Sequence, residues 1–464
     1  MNSPDAARAR ADVSRWRDGR ADEGGEGLPR SATHAIVAAA GAIAFLATVA
    51  FVVVVRPFVH DAVPSAMLVI AITTLAIFAV DLGWQRAYLR PSTGLDFGYD
   101  DPSWRRTLTK YLGLLASVGL VGAAYALLPQ YHDASFADYF HALRLIAIPW
   151  AAVALPYFHF VDRHMRAPRD GYFQMGALVL LRFRAVDRRV IVQHLLGWAI
   201  KGFFMALMWI FLCDDLRWLF VFDFGAIGSF ANAYDFLYRG IYLVDVGIGA
   251  LGYAMAFRIT DTHIRSAEPT MLGWLVALAC YPPFWSSITY RYLPYGTGYP
   301  WDAWLAYRPW LFAIWGSGIL ILSGVYVWAT VIFAARFSNL TNRGIITNGP
   351  YRFTKHPAYI AKNLSWWMIS VPFLPRDSLW DTLPRCAMLL GVNLIYFLRA
   401  KTEEWHLASD PDYVRYALWI ERHGLLRFFR RAPVVGRLAF GFRAPTAGTE
   451  AGSETTFQTP ESRL

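Results

Sequence analysis

One histidine, two adjacent carboxylates and several tyrosines stand near the C-terminus in an order that suits ligand binding beside lipid. Asn348-Gly349-Pro350-Tyr351 is turn chemistry: Gly349 tolerates positive φ and Pro350 presets the next dihedral, so the backbone there can approach a ligand closely. His356-Pro357-Ala358-Tyr359 opens an apolar run, where proline suits a first helical turn and His356 falls at the water–lipid boundary. A second apolar run ends in Arg399-Ala400-Lys401-Thr402-Glu403-Glu404, with Arg399 and Glu403 four residues apart on one helix face. Beyond it, Asp410-Pro411-Asp412 caps a helical pattern carrying Tyr413 and Tyr416, as in an amphipathic helix on a membrane surface. Singly these are a loop, an interfacial histidine, a snorkelling base beside a solvated acid, and an anchoring helix. If the two apolar runs form a hairpin, the His356 end and the Glu403 end meet on one surface and the groups become a single site.

The elements that must position them are membrane helices. Of 464 residues, 56% are hydrophobic and only 17% charged, too apolar a balance for an ordinary soluble protein. Aromatic residues (19 Trp, 24 Tyr and 32 Phe) crowd beside the apolar runs, where interfacial anchors belong. The net charge of +10 fits cytoplasmic loops facing anionic lipid rather than nucleic acid. Cys213, Cys280 and Cys386 lack metal-type spacing and read as packing residues, so neither a disulfide framework nor a metal site is expected.

A spanning helix needs about twenty mostly apolar residues. The candidates are Ala35–Val55, Ala62–Val80, Leu112–Leu128, Leu143–Val161, His194–Cys213, Phe236–Phe257, Met271–Tyr290 and Trp310–Phe333, and two shorter runs, Ala358–Phe373 and Leu383–Leu398, make about ten. The fold class expected is therefore all-α, a polytopic integral membrane protein with about ten transmembrane helices. Arginine and lysine collect in the second, fourth, sixth and eighth loops, while the third, from Pro129 to Ala142, has none. By the positive-inside rule both termini and the candidate site face the cytoplasm. The first apolar run sits behind some thirty polar residues and reads as an anchor rather than a cleavable signal. Gln174–Leu181 and Trp218–Ala233 resist the count and are expected in the interface.

Residues 1–30 read as a disordered cytoplasmic arm, 31–335 as a membrane region of about eight helices without an assigned role, 336–430 as the site-bearing membrane domain, and 431–464 as a basic, then disordered tail. Within the spans or near them, Lys201, Arg239 and Asp245 either pair structurally or line a cavity.

Gly349-Pro350-Tyr351, Lys355-His356-Pro357-Ala358-Tyr359, Lys401-Thr402-Glu403-Glu404 and Tyr413-Val414-Arg415-Tyr416, in that order, resemble the isoprenylcysteine carboxyl methyltransferase family and the related bacterial phospholipid methyltransferases. The resemblance covers about the last hundred ordered residues. It implies a methyltransferase in a membrane such as the bacterial inner (plasma) membrane, using S-adenosylmethionine from the cytoplasmic side and a lipid or isoprenoid-like acceptor from the bilayer. Tyr351, His356, Pro357, Tyr359, Glu403, Glu404, Tyr413 and Tyr416 would then line the cofactor site, with Arg399 or Lys401 as the cation that holds the acceptor. Carboxylates and ring faces suit a sulfonium and an amino group, while a histidine or tyrosine hydroxyl suits the cofactor's carboxylate. Lys355 and Lys401 stand where the family carries arginine, and lysine cannot make a two-pronged contact with a carboxylate. The other readings are a sterol-reductase-like enzyme using NADPH, since those also carry His-Pro-x-Tyr, and a transporter or membrane scaffold with a degenerate cofactor fold.

Overall fold

The computed structural model describes residues 27–56, 61–375 and 378–428. The rest of the polar arm and the tail from 431 to 464 lie outside the described residues. The described chain is helical almost throughout and forms two compact units, Arg30–Glu403 and a smaller one whose described part is residues 27–29 and 404–428.

Side-chain caps set where most of the long helices begin. Asp61 opens α2 (Ala62–Phe78), which follows α1 (Ala35–Val54). Ser103 opens α3 (Trp104–Leu127), and α4 (Ala137–Arg163) follows. Asp170 opens α5 (Gly171–Val179), Asp187 opens α6 (Arg188–Val221) and Ser229 opens α7 (Phe230–Ala254). Thr270 opens α8 (Met271–Leu278), and α9 (Trp301–Leu305) and α10 (Pro309–Val331) come next. The last membrane elements are α11 (Pro357–Ser370) and α12 (Thr382–Leu407), and α13 (Pro411–His423) follows them. The protein is an all-α polytopic membrane protein, and seven helices among the described residues are long and apolar enough to cross a bilayer.

The three remaining runs of the expected ten behave differently, each for a physical reason. Helix α7 is long enough to cross but carries Asp235, Arg239 and Asp245. The Met271–Tyr290 run ends its α-helix at Leu278 and resumes as a π-turn at Trp285–Thr289, with Pro282 and Pro283 between. Helix α11 has 14 residues, about 20 Å of rise against a hydrocarbon core of about 30 Å. The two segments expected in the interface take these places in the fold. Gln174 to Ala177 are buried in α5, which crosses α3 so closely that a Cβ on Gly176 would lie 1.8 Å from the Thr109 carbonyl oxygen; small residues permit such a crossing. Trp218 lies in the last turn of α6, and Phe230 already begins α7.

Polar contacts sort the loops onto two faces. On one, Arg90 donates to the Ala32 carbonyl (2.9 Å), Ser92 donates to Asp261 (2.8 Å), and Arg336 pairs with Asp261 at 3.1 Å. There too β1 (Ser266–Ala267) pairs antiparallel with β2 (Thr341–Asn342), and Leu95 bridges Met165. The N-terminal approach and all four basic loops thus gather together. On the other face Arg56 donates to the Phe220 carbonyl (2.7 Å) and Arg217 pairs with Asp138.

The basic face is held by buried charge. Lys110 and Arg106 both reach Asp162, at 2.7 and 2.6 Å. Arg343 is buried and donates to four backbone carbonyls, of Thr262 (2.6 Å), Gly252 (2.7 Å), Phe337 (3.0 Å) and Met255. Two of these belong to the C-terminal turn of α7, whose carbonyls have no helical partner. Nearby, burial and then Arg258, Arg265, Arg343 and Arg336 hold His263 well below the usual imidazole range, so it is neutral in the fold. Below about pH 6.5 an unfolded chain takes up a proton here that the fold refuses. Stability should therefore fall as pH drops through that value and be flat above it. Thermal midpoints in detergent from pH 8 to 5 test this, and a His263→Gln variant should lose part of the acid slope.

Candidate functional site

The site grows from the junction of α10, a polar loop and the α11–α12 pair. After α10 the chain turns at Asn339, whose backbone N–H and side-chain amide both donate to the Tyr253 hydroxyl at 2.8 Å, the amide also reaching the Tyr281 hydroxyl at 3.0 Å. Gly349 then adopts φ +56, as turn chemistry requires, and a Cβ there would press on Ile332 at 3.2 Å and Trp328 at 3.3 Å. This delivers Tyr351 onto a short 3-10 turn, its ring edge-on to Phe333 with centroids 5.3 Å apart. Burial, and secondarily the Glu403 carboxylate, push the Tyr351 hydroxyl far above its usual range, so it stays protonated.

His356 is the N-cap residue of α11 and Pro357 its first residue, as the dipeptide predicts. The His356 ring stacks parallel on Tyr359, with centroids 5.5 Å and planes 9° apart. The Tyr359 hydroxyl donates to Glu403 Oε2 at 2.8 Å, so the two helices do bring the His356 end and the Glu403 end together. Arg399 lies one turn before Glu403 on the same face of α12. It is buried, donates to Asn339 Oδ1 at 2.6 Å, and stands over the rings of Tyr359 (5.2 Å), Tyr281 (5.4 Å) and Tyr396 (5.9 Å). Lys401, two residues on, points from another side of the helix and lies over Phe397 at 5.8 Å. Of the two bases, Arg399 is thus the one against the His356–Tyr359–Glu403 cluster.

Glu404 continues α12 and is buried. In the smaller unit, Asp410 caps α13 by accepting from the Asp412 N–H at 2.9 Å. Tyr413 and Tyr416 lie one turn apart, with ring centroids at 6.0 Å and only 3% and 2% of their surfaces exposed. Val414, Ala417 and Ile420 are buried with them on α13.

Asn339, Tyr281 and Tyr396 were not singled out from the sequence. The tyrosines look like packing aromatics inside apolar runs, and Asn339 like one more loop polar residue; only the fold aims all three at Arg399. The earlier ionisable candidates are also placed. Lys201 lies over Trp198 (5.3 Å) and Arg239 over Trp218 (4.9 Å). Asp245 accepts from the Tyr326 hydroxyl and from Thr330 Oγ1, both at 2.6 Å. Among the described residues no cluster of His, Cys, Asp or Glu is arranged to hold a metal ion.

A cluster of this kind, a carboxylate tied to a tyrosine, a stacked histidine and an aromatic-caged arginine, suits a ligand with a cationic centre beside a polar acceptor. Comparison with curated proteins and with solved structures found no match in either. The stretch that carries Tyr351, His356, Tyr359, Arg399 and Glu403, residues 312–409, matches the isoprenylcysteine carboxyl methyltransferase (ICMT) family, a family of membrane methyltransferases.

Proposed function

We propose that this protein transfers a methyl group from S-adenosylmethionine to a lipid or isoprenoid-like amphiphile, at a site on its basic, cytoplasmic face. The observation that carries the reading is Glu403. Its one hydrogen bond among the described residues comes from Tyr359, and it makes no ion pair there, although it lies beside a ring stack and is only half-buried. A carboxylate so held is a natural partner for a cation. The donor set therefore fits S-adenosylmethionine, whose sulfonium and amino group are cationic.

When bound, S-adenosylmethionine supplies an electrophilic methyl group. In the proposed roles, Glu403 and the Tyr359 ring hold positive charge, His356 backs that ring, and Tyr351 offers a neutral hydroxyl to the donor's polar end. Pro357 fixes the start of α11, and for Glu404, Tyr413 and Tyr416, in the smaller unit, a donor-binding role is proposed on the family resemblance alone. Arg399 orients the acceptor, with Asn339 fixing its guanidinium. Methyl transfer to a carboxylate needs alignment rather than a base. Residues 336–430 are proposed as the methyltransferase part, and the positive-inside rule puts the face gathering the basic loops in the cytoplasm.

The test is calorimetric titration of the purified protein in neutral detergent with S-adenosylmethionine, with NADPH as the comparison. Saturable binding of the first is expected. No binding of S-adenosylmethionine, or binding of NADPH instead, would overturn the reading.

A further inference from the structure

One turn beyond Tyr359 on α11, Lys362 points into the helical bundle. Its ammonium stands over the rings of Tyr326 (4.8 Å), Trp366 (5.5 Å) and Tyr396 (6.0 Å), which come from α10, α11 and α12. Among the described residues it makes no hydrogen bond and no ion pair. Nor is it sealed into packed core: the side chain keeps accessible surface although protein surrounds it. Ring faces attract an ammonium but give none of its three N–H groups an acceptor. A cation inside a membrane domain is costly unless something completes its solvation.

The surroundings say what that something is. Tyr396 lies between two cations, 6.0 Å from Lys362 and 5.9 Å from Arg399, and its ring meets Tyr359 edge-on at 5.8 Å. The nearby carboxylate is Asp245, already engaged by the hydroxyls of Tyr326 and Thr330 and not in direct ion pair with Lys362. Asp245 is held by those two hydroxyls and Glu403 by Tyr359, and among the described residues neither carboxylate pairs with the Lys362 ammonium, which is left without an acceptor beside the methyl-transfer cluster.

We propose that Lys362 is a specificity-determining residue that binds the anionic head, a carboxylate or a phosphate, of the lipid acceptor inside the aromatic box of Tyr326, Trp366 and Tyr396. The ligand's role as acceptor rests on the methyl-transfer reading; the anion preference does not. Asp245 comes from α7, outside the family-matching stretch, so this subsite joins that stretch to the N-terminal helices.

Equilibrium binding of radiolabelled dodecanoate and monododecyl phosphate to the full chain in neutral detergent, without S-adenosylmethionine, tests the subsite. Dodecanol is the uncharged control. The better anion should bind at least about tenfold more tightly than dodecanol, as one charge-assisted contact gives. Lys362→Met should erase that margin and Lys362→Arg keep most of it. Asp245→Asn should tighten anion binding, a direction that damage to the fold would not produce. Preference for dodecanoate assigns the subsite to a carboxylate, and preference for the phosphate assigns it to a headgroup phosphate. Equal binding of dodecanol and both anions by the wild type, or an undiminished anion margin in a folded Lys362→Met variant, would overturn the proposal. Because the donor is absent, a protein that binds these anions but not S-adenosylmethionine refutes the methyl-transfer reading and leaves the subsite standing.

Discussion

Glu403→Gln is expected to weaken S-adenosylmethionine binding by about ten- to hundredfold, the margin that separates a charged from a neutral partner, about 1.5–3 kcal/mol. The substitution is informative because little else changes. A glutamine oxygen can still accept the Tyr359 hydroxyl that Glu403 Oε2 accepts at 2.8 Å, so α11 and α12 stay tied. Only the negative charge disappears. S-adenosylhomocysteine, which lacks the sulfonium charge, supplies the control: the wild type should favour the methylated form, and Glu403→Gln should lose that preference. Tyr359→Phe makes the complementary cut, keeping the charge and removing the tether, and should cost less, about 1 kcal/mol. Calorimetry on the three proteins reads both effects. If Glu403→Gln binds the two ligands with wild-type affinities, Glu403 does not hold the donor's cation.

Arg343→Met is expected to destabilise the protein by at least about 3 kcal/mol, the largest effect on stability that the structure points to. Arg343 is buried and serves the carbonyls of Gly252, Met255, Thr262 and Phe337 together. Methionine fills much of the volume and leaves all four without that donor. The contacts also join the end of α7 to the loop that carries Asn339, so the substitution should loosen Arg399's seat as well as the fold. Arg343→Lys should recover only part of the loss, because an ammonium has three donors and no planar fork. Thermal unfolding in detergent checks the order wild type, Lys, Met. Equal midpoints for the three would show that water satisfies those carbonyls instead.

These two residues show how unevenly the molecule can be read from its sequence. Glu403 was legible because it belongs to a local pattern: an apolar run ending in Arg399 and Glu403 at helical spacing, preceded by a loop whose Gly349 and Pro357 do local backbone work. The apolar runs were legible for the same reason, since lipid imposes about twenty apolar residues on each crossing. The count itself was less secure, because run length does not reveal that α11 stops at 14 residues or that Pro282 and Pro283 interrupt the seventh run. Arg343 entered the sequence reading only as one more charge in a basic loop. Its burial among four carbonyls depends on which loops the helices bring together, and no local pattern encodes that.

By itself, then, the sequence determined that this is a helical membrane protein, which loops share a face, and which C-terminal motifs could form a site. These follow from composition, the spacing of apolar residues and backbone chemistry, all properties of neighbours along the chain. Only the tertiary structure decided that Arg399 rather than Lys401 faces the Tyr359–Glu403 pair, that Asn339 holds it, and that Lys362 meets rings from three helices. The reason is that a side chain's partners across a bundle are set by helix rotation and crossing, which many residues far apart in the chain determine together.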